Sequence, residues 1–68
     1  MDRTEAGRSI KIARITNGLT QSQLAKRVKV SQPTVALWET GKTFPKPDCL
    51  VLLSKVLGLS VDALLKVG

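Results

Sequence analysis

The sequence has no histidine and no tyrosine, and it holds a single cysteine, one tryptophan and one phenylalanine. One cysteine excludes an intrachain disulfide, and without histidine there is no Cys/His set to hold zinc. The lone thiol, Cys49, lies in the apolar run from Cys49 to Leu53 and reads as a small hydrophobe on a helix, in keeping with a reducing compartment. Acidic residues are also scarce. Asp2, Glu5, Glu39, Asp48 and Asp62 are dispersed without the paired spacing of a general acid and base, and Cys49 has no base to activate it. With no Gly-rich phosphate loop either, the expectation is a protein that is not an enzyme and carries no metal or cofactor. No apolar stretch approaches the roughly 18 residues of a membrane span, and residues 1–7 lack the apolar core of a signal peptide. These absences predict a soluble, cytoplasmic protein with no evident small-molecule ligand.

What is present points to one small folded domain covering residues 1–68. At 43% hydrophobic residues the chain is too apolar for disorder. A domain of this length buries only about 60% of its unfolded surface, so the core must be thin. Lacking disulfide and metal, it depends on helix packing or on a partner subunit for stability. Eleven Lys and Arg against five Asp and Glu give a net charge of +6, which calls for a polyanionic partner or an anionic surface.

Leu, Ala, Lys and Arg dominate and strict alternation is missing, so the period is helical. Caps and breakers divide the chain into five short helices. The first runs from about Thr4 to Asn17, carries Ile10 and Ala13 inward with Ile15 or Asn17 as further candidates, and stops at Gly18. Thr20 to Gln23 matches a capping box and opens a second helix over Gln21 to Val28, burying Leu24, Ala25 and Val28. Ser31 caps a third, Gln32 to Thr40, with Pro33 in its first turn and Gly41 past its end. A fourth spans about Pro47 to Leu57, with Leu50, Leu53, Ser54 and Leu57 inward and Gly58 as its stop. A fifth, Val61 to Lys66, follows Ser60 with Val61, Leu64 and Leu65 inward. The predicted fold is a compact all-α five-helix bundle.

A short helix, a turn of about three residues and a second short helix between Gln21 and Thr40 form the geometry of a DNA-binding helix-turn-helix. The residues sharpen this. Ile10, Arg14, Thr20-Gln21-Ser22-Gln23-Leu24-Ala25, Val30-Ser31, Trp38-Glu39-Thr40-Gly41 and Pro45 follow one family pattern, as do Leu50, Leu53, Leu57 and Val61-Asp62-Ala63-Leu64-Leu65. The chain resembles the lambdoid phage repressor and Cro family, the XRE-type regulators, over essentially its whole length. That resemblance implies a lambda-repressor-like DNA-binding domain acting in a bacterial nucleoid or a phage-infected host.

The resemblance also assigns roles. It pairs Arg14 of the first helix with Glu39 at the end of the third, a fork that can fix one helix against the other while facing a phosphate. Gln21, at the start of the second helix, is implied as a phosphate contact. On a wheel anchored by buried Val35 and Trp38, the outward face of the third helix holds Gln32, Pro33, Ala36, Leu37 and Thr40, and these are the implied base-reading positions. Gln32 is the best specific reader, since a Gln amide can bond adenine at N6 and N7 together. Pro33, Ala36 and Leu37 can only pack against thymine methyls, which predicts A·T-biased contacts with some readout of DNA shape. Lys42 and Lys46 sit in the loop implied to meet the sugar-phosphate backbone. Lys26, with Arg27 and Lys29, extends the basic footprint.

The fourth predicted helix has a second apolar stripe of Cys49, Leu52 and Val56. Family repressors bind as two-fold dimers, so Leu52, Val56, Leu59 and Val67 are candidates for an isologous homodimer contact. An equally simple reading packs them beneath the Phe44 loop. Two functions remain in play: a repressor binding a palindromic operator as a dimer through the third helix, and a protein-interaction module on the same fold, an antitoxin or coactivator-type adaptor, motivated by the apolar Pro33-Ala36-Leu37 face.

Overall fold

The computed structural model describes residues 3–60 together with Asp62 and Leu64. The helices are α1 (Arg3–Thr16), α2 (Gln21–Arg27), α3 (Gln32–Thr40) and α4 (Pro47–Leu57). Each boundary has a local cause. On α1 the buried residues Ala6, Gly7, Ile10 and Ala13 recur at helical spacing, so one stripe of the helix faces the core. Its end is a left-handed cap at Gly18, φ 71°, where the Leu19 N–H returns to the Arg14 carbonyl at 3.0 Å. The Asn17 amide donates to the Ala13 carbonyl at 2.7 Å and the Leu57 carbonyl at 3.3 Å, tying the C-terminal ends of α1 and α4 together.

Thr20 and Gln23 form the capping box. The Gln23 N–H donates to Thr20 Oγ1 at 3.0 Å, and the Thr20 N–H donates to Gln23 Oε1 at 2.8 Å. Ser31 Oγ accepts the Thr34 N–H at the start of α3, and Pro33 occupies a position where no intrahelical N–H is needed. Gly41, φ 80°, closes α3 in the left-handed region. Between α2 and α3 the same type of cap is made by a lysine. Lys29 has φ 62°, and the Val30 N–H reaches back to the Ala25 carbonyl at 2.9 Å. This left-handed step reverses the chain within the four residues, 28–31, that separate the two helices.

α1 lies directly on α3. Gly7 meets the last turn of α3 so closely that a Cβ there would sit 2.1 Å from the Trp38 carbonyl oxygen. The core beneath this crossing joins Ile10, Leu24, Ala25, Val28, Val35, Trp38, Leu50, Leu53, Leu57 and Leu64. Ile15, a candidate inward position, is instead 57% exposed, and Ser54 is half-buried.

Among the described residues the expectation of five helices is corrected to four. Most of the Val61 to Lys66 segment, including Val61 and Leu65, lies outside the described residues, as does Val67. The Leu64 N–H reaches the Ser60 carbonyl at 3.4 Å. Leu64 is part of the core, with 1% exposure. No helix among the described residues is long and apolar enough to cross a membrane.

Candidate nucleic-acid interface

The start of α2 and the outer side of α3 form one surface, built from the buried side of α3 outward. Val35, Trp38 and Glu39 fill that buried side, so the helix is fixed against α1 and α2 along its length. What remains outside is Gln32, Pro33, Leu37 and Thr40, all exposed, with Ala36 half-buried between them. The Thr40 hydroxyl lies 3.1 Å from the Ala36 carbonyl and 3.2 Å from that of Leu37, so it can donate to its own helix. Leu37, 39% exposed, is the largest apolar group of the face.

Arg14 and Glu39 meet in a two-pronged ion pair. Arg14 Nε donates to Glu39 Oε2 at 2.6 Å and Nη2 to Oε1 at 3.1 Å, with side-chain exposures of 11% and 3%. Nη1 donates to the Leu19 carbonyl at 2.8 Å, so the guanidinium also pins the loop leading into α2. The hydrogen bond to Glu39 is the main influence raising the Arg14 pKa above its ordinary value, against the opposing effect of burial. The raised value places any stability linked to the titration of Arg14 far above neutral pH.

Gln21 is half-buried beside this pair rather than free at a helix end. Its Nε2 donates to Glu39 Oε1 at 3.0 Å, and its Oε1 accepts from Gln32 Nε2 at 2.8 Å. A single chain of hydrogen bonds therefore runs from Arg14 through Glu39 and Gln21 to Gln32. Sequence reasoning did not anticipate the two amide bonds. The available clue was positional: Gln21 and Gln32 each open a helix on either side of one tight turn.

Lys26, Lys42 and Lys46 are exposed. Lys46 is the N-cap residue of α4 and borders a depression of about 300 Å³ with Trp38, Phe44 and Cys49, next to α3. The face of α3 itself carries no Lys or Arg, so positive charge lies around that exposed face and not on it. Cys49, Leu52 and Val56 on α4, and Leu59 just past its end, are half-buried against the core, while Val51, not singled out by spacing, is 47% exposed.

With α2 and α3 joined by a tight turn and held on α1, the arrangement is that of a helix-turn-helix. A model described as helix-turn-helix matches residues 10–64, and the chain belongs to that family. The chain is similar to the P22 c2 repressor protein, solved in complex with a synthetic operator, at 36% identity and a TM-score of 0.83, covering 87% of this chain and 89% of that one. It is also 38% identical over 52 residues to BcrR, an HTH-type transcriptional activator of Enterococcus faecalis, over 76% of this chain and 26% of the relative. The chain thus spans about a quarter of the length of that curated relative.

Proposed function

We propose that the chain is a sequence-specific DNA-binding domain of a transcriptional regulator, with α3 in the major groove and α2 across the backbone. The observation that carries this reading is the division of α3 into a fully buried side and an exposed reading side. It is supported by the likeness to a repressor whose structure was determined on operator DNA. Gln32 supplies the directional base contact, Pro33, Ala36 and Leu37 pack on thymine methyls, and Lys26, Lys42 and Lys46 neutralise phosphates. Repression follows from occupancy alone, because a domain seated in the groove excludes competitors without further machinery.

Two copies related by a two-fold axis would present their reading helices to half-sites about 10 to 10.5 base pairs apart. Leu52, Val56 and Leu59 are the proposed contact, bordered by exposed Val51. Their half-burial leaves part of each side chain for a partner while the rest anchors to the core. Sedimentation of the chain alone and with DNA tests this, and Val51→Glu should shift the equilibrium toward monomer.

Selection from a random DNA pool, followed by salt titration on the selected site, tests the main reading. A palindromic A·T-biased site is expected, with affinity falling steeply with salt as counterions are released. Gln32→Ala should relax preference at one position, and Lys46→Ala should weaken all sequences alike and flatten the salt slope by about 1. Affinity insensitive to salt would overturn the proposal. Leu37→Glu abolishing capture of a protein partner while sparing DNA binding would favour the adaptor reading.

A further inference from the structure

We infer that the depression between α3, the loop after it and the start of α4 is a binding site for a small aromatic carboxylate, and that such a ligand competes with DNA for Lys46. The chain has one tryptophan and one phenylalanine, and both line this depression of about 300 Å³. Trp38, 4% exposed, closes it on the inner side, while Val30, Phe44 and Cys49 are half-buried around it. Clefts that hold small molecules begin at about 300 Å³, and they combine apolar and aromatic walls with a few polar groups. Here the polar groups are Thr34, Thr43 and Lys46. No short motif marks the site, because its walls come from the α2–α3 turn, α3, the loop and α4 and meet only in the fold.

Charge decides the class of occupant. Lys46 is the only charged residue of the lining, it is exposed, and it forms no salt bridge among the described residues. Asp48, two positions on, is not part of the wall, and the Glu39 carboxylate is held by Arg14. An incoming group therefore meets an unopposed ammonium beside aromatic surface. A cationic ligand is repelled there, and an uncharged one leaves the ammonium unpaired, whereas a carboxylate on an aromatic ring satisfies both halves of the site. At about 30 Å³ for each water-sized group, the space takes roughly ten non-hydrogen atoms, one ring with a short acidic side chain. The competition rests on the DNA-binding role proposed above, in which Lys46 neutralises a phosphate. A ligand carboxylate on the same ammonium withdraws that contact from the DNA, and by linkage DNA weakens the ligand by the same factor.

Phenylacetate, one ring and one carboxylate, is the probe, and phenylacetamide is its uncharged counterpart. Heteronuclear NMR of the full chain reads the site directly, because the single tryptophan gives one indole N–H signal. Phenylacetate should shift that signal and the amides of Phe44, Lys46 and Cys49 saturably, with a Kd on the order of 1 mM for a probe of this size. Phenylacetamide should bind about fivefold more weakly, and Lys46→Ala should bring the two probes level. Cys49→Leu, shown by melting to be folded, fills the depression and should abolish both. No saturable shift at these residues, or equal binding of the two probes to the wild-type chain, would overturn the site. Shifts there that follow the chain's own concentration instead would seat a second copy in the depression, and would overturn it too. On the selected DNA at matched ionic strength, saturating phenylacetate should lower affinity about fivefold and flatten the salt slope by about 1, while leaving the affinity of the Lys46→Ala chain unchanged. Unchanged wild-type affinity with the probe bound would overturn the competition. A chain that selects no DNA would overturn the reading of α3 and the competition with it, and the NMR titration alone then decides the site.

Discussion

Replacing Gly7 by alanine tests the α1–α3 crossing on which the reading helix depends. In an ordinary exposed helix position the change stabilises by about 0.5–1 kcal/mol, because glycine loses more backbone entropy on folding. Here the new Cβ would lie 2.1 Å from the Trp38 carbonyl oxygen, 2.9 Å from that of Glu39 and 3.0 Å from the Glu39 carbonyl carbon. Carbon and carbonyl oxygen approach to about 3.3 Å at closest, so α1 must retreat by about 1 Å. All three atoms are helical backbone and cannot swing aside, which places the overpacking cost at the upper end of the usual range, about 3 kcal/mol. Offsetting the entropy gain leaves a net loss of about 2 kcal/mol, a large part of the roughly 3–10 kcal/mol available to a chain of this length. Melting followed by far-ultraviolet circular dichroism should show the midpoint falling by about 8–16 °C. Ser9→Ala, at an exposed site on the same helix, serves as the control and should leave the midpoint nearly unchanged. A Gly7→Ala chain that melts at or above the wild-type temperature would refute the close crossing, since the sign of the effect, and not its size alone, separates the two cases.

Arg14→Met leaves the Glu39 carboxylate at 3% exposure with Gln21 as its remaining side-chain donor and should cost about 3–5 kcal/mol in urea unfolding. Much of this should return in the Arg14→Met/Glu39→Leu double variant, and a single-variant cost under about 1 kcal/mol would contradict a buried pair. Lys29→Gly relieves a left-handed residue in the α2–α3 turn and should raise stability by about 1 kcal/mol, whereas a lower melting temperature would show that the turn conformation is not strained. Replacing thymine by deoxyuridine in the selected site should weaken binding about fourfold for each methyl that Pro33, Ala36 or Leu37 covers. No change at any thymine would remove the apolar face from base recognition.

Caps and stops were the most legible features in the sequence, because a capping box or a C-terminal glycine acts within a few residues of itself. The bounds of α3 and α4 follow from Ser31, Gly41, Pro47 and Gly58 alone. Lys29 was not legible as a left-handed residue, since nothing in its side chain favours that conformation and only the geometry of the turn imposes it. Arg14 and Glu39 were paired through a motif, but the contacts of Gln21 lie 11 and 18 residues away and depend on how α2 and α3 cross. The second stripe of α4 shows the same boundary. Periodicity marks Cys49, Leu52 and Val56 as apolar, yet their half-burial is decided by distant packing against the core.

The seam between α1 and α3 has an optical consequence. Trp38 is the only tryptophan, it is 4% exposed, and no tyrosine emission overlaps its own. Its indole sits on the side of α3 turned away from Gln32 and Leu37, beneath the reading surface. The native chain therefore carries a built-in fluorophore in a dry environment, with blue-shifted emission that moves to the red only when the helices part. Unfolding of the domain should therefore be read from one label-free spectrum, as a shift of that emission to the red.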